Sequence, residues 1–186
     1  MSMDLTPPDL ETPRLRVRPV AESDLASLMH VNGDEQVTRF LPYETWRSIE
    51  DAHAWYKRIA GMQEAGSAIQ LVAVDKASGS AIATCLLFQF EPKSARAELG
   101  YVLGRAHWGK GLMREALSAV LDHAFGPMRV RRLEAHVDPR NGASRGLAMR
   151  LGFTREGLLR ERWVDKGEPT DIEVYGLLSR EWRRTA

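Results

Sequence analysis

The most informative stretch of the chain runs from residue 98 to residue 117 and reads ELGYVLGRAHWGKGLMREAL. The apolar run over 97–103 predicts a strand, and apolar residues with a 3.6-residue period predict a helix from about Lys110 to Phe125. The first N–H groups of a helix have no carbonyl partner and lie at the positive end of its dipole. Because Gly109 and Gly111 carry no Cβ, we expect this turn to let a bulky anion such as a pyrophosphate approach the amides.

The two glycines alone are a weak signal, because other phosphate-binding motifs also contain glycine-rich turns. The turn lacks the G-K-[ST] ending of a Walker loop, and it lacks the third glycine of a dinucleotide fingerprint. These absences disfavour a generic nucleotide-binding module. The side chain of Lys110 either adds a positive charge to the site or points to solvent, and the sequence leaves both alternatives open.

The remaining elements place the turn in an α+β domain. Further strands are predicted at 15–18, 69–74, 81–90, 133–137, from 153 onward and at 172–178, and further helices from an N-cap at Ser23 to about Val31, from Ser48 with Asp51 in a capping box, and over 144–151. Residues 37–46 are predicted to be irregular, and residues 1–10 to be a flexible N-terminal segment. Hairpins combined with one helical crossover predict a single domain over 1–186, with a central mixed, mostly antiparallel sheet flanked by helices.

Composition excludes several other classes of protein. The 186 residues include 44% hydrophobic and 27% charged residues, which is ordinary for a soluble domain, and the net charge of +1 gives no case for a nucleic-acid partner. The start of the chain does not resemble a signal peptide, and no apolar stretch is long enough for a membrane span. The single cysteine, Cys85, lies in an apolar run and is expected in the core. We therefore predict a cytoplasmic protein with no membrane partner and no metal site.

The motifs around the turn resemble the GCN5-related N-acetyltransferase (GNAT) superfamily, and most of all its RimJ/RimL-like branch. The resemblance covers nearly the whole chain, and the two most specific motifs occur in the family's order. It is carried by the stretches 11–19, 98–115, 137–144, 151–153, 171–175 and 181–182.

This resemblance implies that the protein binds acetyl-CoA as a co-substrate and that an amine attacks the bound acetyl group directly. A backbone N–H in the strand 101–103 would polarise the thioester carbonyl. The cofactor-binding residues implied by the family motifs are Tyr101, Val102, Leu103, Trp108, Gly109, Lys110, Gly111, Leu112, Met113, Asn141 and Ser144.

The chain departs from the family pattern at two positions. Ala106 stands where many relatives have Gln or Arg three residues before the first glycine of the turn. Since backbone amides provide most of the phosphate contacts, this change has little consequence for cofactor binding. Ala148 stands where many relatives have a tyrosine that protonates the departing thiolate. If a side chain has that role here, it is a different residue.

A general base is expected because alkylamines are mostly protonated at neutral pH, with a pKa of about 10.4 for lysine. We favour Glu98, near the start of the strand that leads to the cofactor, acting directly or through a water. Pairing with a neighbouring arginine is the structural alternative. Glu134 is the second candidate, Glu161 and Asp171 remain possible, and His136 is expected to be structural.

Ser144 is our candidate for the general acid, because the RimJ/RimL-like resemblance implies that it lies near the coenzyme sulfur. The alternative is that Ser144 is the N-cap of the helix 144–151, and one serine can have both roles. Asn141 is similarly either a turn residue or a coenzyme ligand, and the family signature favours the ligand.

The sequence does not identify the acceptor, which is either a protein N-terminus or a small-molecule amine. We expect its pocket to be formed by residues 37–46, the helix after Ser48 and the hairpin around 165–169. The alternative function is a non-catalytic acyl-CoA-binding or regulatory domain that has kept the fold, which Ala148 favours and Glu98 and Ser144 disfavour. A homodimer is possible by analogy with similar proteins.

Overall fold

The computed structural model describes residues 3–183, which contain eight strands and five α-helices. The strands are β1 (Leu10–Glu11), β2 (Leu15–Pro19), β3 (Ala68–Asp75), β4 (Ala81–Glu91), β5 (Arg96–Leu103), β6 (Arg132–Val137), β7 (Thr154–Asp165) and β8 (Glu168–Leu178). The helices are α1 (Leu25–Asn32), α2 (Glu35–Thr38), α3 (Ile49–Glu64), α4 (Leu112–Phe125) and α5 (Gly142–Arg150), and short 3-10 helices span Glu22–Asp24 and Arg105–His107.

All eight strands form one sheet in the order β1-β2-β3-β4-β5-β6-β8-β7. Neighbouring strands are antiparallel except β5 and β6, which are parallel and are connected through α4. A parallel pair needs a crossover of this kind, whereas hairpins join antiparallel neighbours. The predicted α+β class and the mixed, mostly antiparallel sheet are confirmed.

Hydrophobic residues cover both faces of the sheet. On one face α4 packs through a fully buried stripe at the predicted period, comprising Ala116, Leu117, Val120, Leu121 and Ala124. On the other face α1 and α3 contribute a second cluster that contains Leu28, Trp55 and Ile59. Each helix therefore covers the sheet with the apolar side that its sequence period defines.

The parallel strands β5 and β6 separate soon after they meet. They pair only over three residues, from Arg96 opposite Arg132 to Glu98 opposite Glu134. Beyond Glu98, β5 continues to Leu103 beside β4 alone. This divergence opens a gap in the sheet, directly before the glycine turn and α4.

The structure corrects the predicted starts of α1 and α4 and the predicted irregular region 37–46. Ser23 is not the N-cap of α1, because the 3-10 helix precedes Leu25 and the carboxylate of Asp24 accepts from the backbone N–H of Ala21 at 2.8 Å. The region 37–46 is not wholly irregular, since α2 extends to Thr38. Helix α4 begins at Leu112 rather than Lys110, because Gly111 is in the left-handed region at φ 75°. The third helix, α3, begins directly after Ser48 as predicted, and Asp51 accepts from the N–H of Ser48 at 3.1 Å.

The N-terminal segment contacts the rest of the domain. Leu10 pairs with Val17 in the two-residue strand β1, and Met3 and Leu5 pack against the main core cluster. Residues 1 and 2 lie outside the described part of the chain, and the flexibility of residues 1–10 stays a prediction. Within residues 3–183, none of the helices has the length and apolar character needed to cross a membrane.

Candidate active site

Two cavities meet where β5 and β6 separate. The first, here called the sheet cavity, has a volume of about 340 Å³ and lies over β3 to β6 beneath α3. The second, here called the turn cavity, has a volume of about 480 Å³ and lies between the glycine turn and α5. The residues that line both cavities are Phe40, Leu41, Tyr101, Val102, Asn141 and Ser144.

The glycine turn forms one wall of the turn cavity. Gly109 and Gly111 have φ angles of 72° and 75°, which disfavour any residue with a Cβ. A Cβ built on Gly109 would meet no protein atom within 4 Å, so the space above this backbone is open. The first turn of α4 follows directly, which gives the arrangement of amides that the sequence predicts for an anion site.

Glu115, in the first turn of α4, anchors the glycine turn to the connection between β1 and β2. Its carboxylate accepts from the hydroxyl of Thr12 at 2.7 Å and from the backbone N–H and the guanidinium of Arg14 at 2.8 and 2.6 Å. Arg14 also donates to the carbonyl of Lys110 at 2.9 Å. These bonds hold the glycine turn and the start of α4 in a fixed relation to β2.

Two arginines line the turn cavity that the sequence analysis did not identify. Arg114 and Arg150 are exposed, and the structure shows neither in an ion pair within residues 3–183. Ten other arginines of residues 3–183 form an ion pair with a carboxylate, as Arg14 does with Glu115. The sequence shows only that both are positively charged residues beside the two family motifs. That signal does not distinguish a phosphate ligand from an arginine that faces solvent.

The structure brings together ten of the eleven sequence-predicted coenzyme residues in the turn cavity. Lys110 differs, because it is exposed in the turn and does not line the cavity. The indole of Trp108 lines the cavity and donates to the carbonyl of Leu103 at 2.8 Å. Sequence reasoning missed five further lining residues, which are Val37, Phe40, Leu41, Ala143 and Leu147.

Asn141, and not Ser144, is the N-cap of α5. The side-chain oxygen of Asn141 accepts from the backbone N–H of Ser144 at 3.1 Å, and the helix begins at Gly142. The cap interpretation of Ser144 is therefore wrong, because the helix begins earlier and Asn141, three positions before Ser144, is its N-cap. The hydroxyl of Ser144 instead lies 2.7 Å from the hydroxyl of Tyr101.

Glu98 lies in the sheet cavity with only 8% of its surface exposed. Burial, together with the neighbouring charge of Glu134, raises the pKa of its carboxyl from the ordinary value of 4.5 to about 7, against the opposing charges of Arg96 and Arg162. A carboxyl with this pKa exchanges its proton near neutral pH, which is the property required of a general base or acid.

His136 lines the same cavity, although the sequence analysis expected it to be structural. Its Nδ1 is 3.3 Å from a carboxylate oxygen of Glu98, without the alignment of a hydrogen bond. Desolvation lowers the pKa of His136, so its ring is neutral at pH 7. The ring also contacts that of Trp163, with centroids 5.8 Å apart.

The other candidate carboxylates lie outside both cavities. Glu134 accepts from Arg96 and Arg132, each at 2.8 Å, and these two ion pairs hold it in the sheet. Asp171 accepts from the backbone N–H of Glu161 at 2.8 Å, at an irregularity between β7 and β8. Among the four candidates, Glu98 alone lines a cavity.

Aromatic side chains form much of the sheet cavity wall, namely Phe40, Tyr43, Trp55, Phe88 and Trp163. Four elements distant in sequence supply them, of which the segment 37–46, α3 and the β7–β8 hairpin were expected to form an acceptor pocket, whereas β4 was not. Lys166, in the turn between β7 and β8, donates to the carbonyl of Thr38 at 2.8 Å and so connects this hairpin to α2.

Other chemistries find no support in the described residues. Cys85 is 1% exposed in the core, where burial raises the pKa of its thiol to about 12, so it is not a nucleophile at neutral pH. Over residues 3–183, no group of three or more His, Cys, Asp or Glu side chains is arranged to hold a metal ion.

Comparison with known proteins identifies the class to which this fold and site belong. A family model described as an acetyltransferase (GNAT) domain matches residues 14–154. The chain therefore belongs to the GNAT family of acetyltransferases.

Individual relatives agree with this assignment. The chain is 33% identical over 173 residues to the uncharacterized N-acetyltransferase p20 of Bacillus licheniformis, covering 93% of this chain and 97% of that protein. It is 34% identical over 84 residues to a ribosomal protein uS5-alanine N-acetyltransferase of Escherichia coli, covering 45% and 43% of the two chains. The RimJ/RimL-like resemblance is thereby confirmed.

A solved structure shows the same fold. The spermidine N-acetyltransferase of Vibrio cholerae, solved in complex with CoA and spermine, superposes with a TM-score of 0.78 at 21% identity. The match covers 91% of this chain and 98% of that one.

Proposed function

We propose that the protein transfers the acetyl group of acetyl-CoA to a primary amine, with the reacting atoms at the junction of the two cavities. One observation carries this proposal. Glu98, a buried carboxyl that titrates near neutral pH, lines the sheet cavity. The hydroxyl of Ser144, which is not the N-cap of α5, lies where the sheet cavity meets the turn cavity.

The turn cavity suits the coenzyme. Open space above Gly109 leaves room for a pyrophosphate against the amides of the turn and the first turn of α4. Arg114 and Arg150 would add charge-assisted contacts to phosphate oxygens. From there the pantetheine arm would lie along β5, where the strand lacks a β6 partner and its backbone is free to bond a ligand. Acetyl-CoA supplies an activated acyl group, and the protein supplies its position.

Glu98 would accept the proton that the amine loses when its nitrogen attacks the acetyl carbonyl. Above a pH of about 7 its carboxylate is the dominant form, so it is competent as a base under the conditions in which Lys-type amines are mostly protonated. A backbone N–H of the strand segment 101–103 would hold the carbonyl oxygen as charge develops on it, a contribution of about 3 kcal/mol for such donors. Ser144 would donate a hydrogen bond, and then a proton, to the departing sulfur.

The walls of the sheet cavity indicate the kind of amine that fits. Asp138 is paired with Arg140 at 2.6 Å, and the exposed Arg58 brings a positive charge to the same cavity. Of the three carboxylates that line this cavity, Asp138 is paired and Glu98 is the proposed base, so Asp165 remains for a polyamine, whereas the aromatic walls favour a primary amine beside an apolar group. An N-terminal residue of a protein or a small aromatic amine has this character, and we propose this class as the acceptor.

Calorimetric titration with acetyl-CoA, CoA and ATP tests the coenzyme assignment. We expect acetyl-CoA and CoA to bind at tens of micromolar or tighter, as phosphate-anchored ligands with several charge-assisted contacts do. Binding of ATP but not of acetyl-CoA would refute the proposal.

Release of the CoA thiol, followed with a chromogenic disulfide, then tests the transfer. The acceptors are phenethylamine, a short peptide with an N-terminal alanine, and spermine, all at equal concentration. We expect turnover with the first or second and slower turnover with spermine. If CoA binds but no amine accelerates thiol release, the non-catalytic alternative is the correct one.

A further inference from the structure

The hydroxyl of Tyr101 makes two contacts with Ser144. It lies 2.7 Å from the Ser144 Oγ and 3.2 Å from the Ser144 carbonyl oxygen. Both residues line the sheet cavity and the turn cavity, so this contact lies at the junction where the reaction is proposed to occur. The two residues are 43 positions apart in the chain, and the gap between β5 and β6 is what allows Tyr101 to reach the first turn of α5.

A phenol has one proton, and it therefore serves one of these two acceptors at a time. If Tyr101 donates to the carbonyl, the Ser144 hydroxyl donates to Tyr101 and its proton is directed away from the turn cavity. If Tyr101 donates to Oγ, the proton of Ser144 is free to point to a ligand in that cavity. The second arrangement uses the shorter contact, and a negatively charged sulfur beside Ser144 would favour it because it attracts the serine proton.

We propose that Tyr101 is the proton source behind Ser144, so that the pair acts as a two-hydroxyl relay to the departing sulfur. This proposal rests on the proposed acetyl transfer. As the carbon–sulfur bond breaks, the sulfur takes the proton of Ser144 and Ser144 takes the proton of Tyr101. The phenolate that remains regains a proton from solvent before the next turnover. The proton that the amine gives to Glu98 leaves to solvent separately, so the balance over one cycle is zero.

Chemistry explains why a relay improves on the serine alone. An alcohol is a much weaker acid than a phenol, whose ordinary pKa is about 10. Passing the charge to Tyr101 avoids an alkoxide on Ser144. The tyrosine that many relatives carry is replaced here by Ala148, which is 1% exposed in the core cluster and lines neither cavity. The relay would thus connect the phenol of Tyr101, on β5, to the sulfur through Ser144, in place of a tyrosine on α5.

The surroundings of Tyr101 keep it protonated in the resting protein. Burial raises the pKa of its phenol, and Tyr175 and Cys85 raise it further, whereas the hydrogen bond to Ser144 and the charge of Arg150 oppose the shift. Cys85 lies directly opposite Tyr101 on β4. The phenol consequently has a proton to give at every pH at which the protein is expected to work.

An equilibrium measurement tests the relay without any acceptor. The thiol of bound CoA is titrated by the ultraviolet absorbance of its thiolate, with the protein bound to desulfo-CoA as the blank for the tyrosines. The variants are Tyr101→Phe, Ser144→Ala and the double variant. Tyr56→Phe is the matched control, because Tyr56 lies outside both cavities and packs against the second cluster.

A donated hydrogen bond stabilises the thiolate, so its loss raises the pKa of the bound thiol. We expect a rise of about 1 unit in Ser144→Ala and about 0.5 unit in Tyr101→Phe, and none in Tyr56→Phe. In the double variant the rise should equal that of Ser144→Ala alone, because Tyr101 acts only through Ser144. A shift in Ser144→Ala with none in Tyr101→Phe would overturn the relay.

Kinetics with phenethylamine or the alanine peptide, whichever turns over, provide the second readout. We expect Tyr101→Phe to lower kcat about tenfold with the KM for acetyl-CoA unchanged within about twofold. Thermal unfolding of each variant separates misfolding from a specific effect. Failure of CoA to bind the unaltered protein would count against the proposed function itself. Normal CoA binding with an unshifted thiol in both single variants would remove the relay alone.

Discussion

A carboxylate oxygen of Glu98 lies 3.3 Å from Nδ1 of His136, inside a cavity that shields both groups from water. Desolvation acts on the two in opposite directions, raising the pKa of the carboxyl to about 7 and lowering that of the imidazole. The neutral forms of both are thereby favoured in the absence of substrate. Burial therefore explains how this glutamate becomes a base near neutral pH without a positively charged partner in direct contact.

Replacing Glu98 by glutamine is expected to lower kcat by about 100-fold, in the range typical for loss of a general base. Because Glu98 must be deprotonated to accept a proton, the rate of the unaltered protein should rise with pH through about 7 and then level off. This rise of the rate with pH, the acidic limb of the profile, should be absent in Glu98→Gln. The measurement is the pH–rate profile of thiol release, with acetyl-CoA affinity determined separately and expected to be unchanged.

Glu161→Gln is the comparison for that experiment, because Glu161 is exposed and lies outside both cavities. Its profile should match that of the unaltered protein. Retention of the limb in Glu98→Gln together with its loss in Glu161→Gln would transfer the role of base to Glu161.

Glu98→Gln should also change how the stability of the protein depends on pH. The folded protein binds the proton of Glu98 more tightly than the unfolded chain does, with pKa values of about 7 and 4.5. The resulting stabilisation is complete below about 4.5 and is lost as the pH rises through about 7. Between pH 5 and pH 8, the free energy of unfolding of Glu98→Gln should therefore gain about 2 kcal/mol relative to the unaltered protein. Urea denaturation of both proteins at pH 5 and pH 8 measures this change. If the two proteins differed in free energy of unfolding by the same amount at both pH values, the burial of this carboxyl would be contradicted.

Gly109 offers a test of where the coenzyme binds. Gly109→Ala forces an alanine to adopt a φ of 72°, at a stability loss of about 1 kcal/mol. No protein atom lies within 4 Å of the new methyl group, so the substitution causes no steric clash within the protein itself. A large loss of acetyl-CoA affinity would therefore arise from contact between the methyl group and the coenzyme. We expect the Kd for acetyl-CoA to rise at least about tenfold, because the methyl group would lie between the amides and the phosphates.

Gly79→Ala is a closely matched control for Gly109→Ala. Gly79 has a φ of 71°, its Cβ position is equally open, and it lies in the turn between β3 and β4, away from both cavities. The two variants should lose similar stability, and Gly79→Ala should bind acetyl-CoA normally. Equal affinity in both would show that the coenzyme does not approach Gly109.

Arg150 should contribute to binding through phosphate charge. We expect Arg150→Gln to weaken acetyl-CoA binding by about three- to tenfold at low salt, and the difference to shrink as ionic strength rises. Arg160→Gln is the control, since Arg160 is exposed on β7 and lines neither cavity. Calorimetry over a salt series measures both. An effect of Arg150→Gln that is independent of salt would indicate a packing role instead.

Local patterns in the sequence were sufficient for much of the fold. The buried stripe of α4 follows directly from its 3.6-residue period, and the start of α3 after Ser48 follows from the carboxylate of Asp51 three residues later. Both depend on interactions within one or two turns of helix. The start of α5 was misassigned because Asn141 and Ser144 are both good cap residues, and only the backbone angles decide between them.

The candidate site was predictable only in part, for a reason that Glu98 and Glu134 illustrate. They lie opposite each other in paired strands and have the same residue type, so the sequence cannot rank them. Their environments differ because Arg96 and Arg132 both bind Glu134, whereas Glu98 faces a cavity. The contact between Arg96 and Glu134 joins strands whose residues are 38 positions apart, and the cavity at Glu98 is formed by several elements distant in sequence.

By itself, the sequence determined the strand, the glycine turn and the helix that follows it, since left-handed backbone angles and unpaired helix amides are local properties of Gly109, Gly111 and their neighbours. Only the tertiary structure decided which carboxyl is buried in a cavity and that the hydroxyls of Tyr101 and Ser144 meet. The physical reason is that desolvation and side-chain hydrogen bonds depend on the separation of β5 from β6, and that separation is set by the packing of the whole sheet.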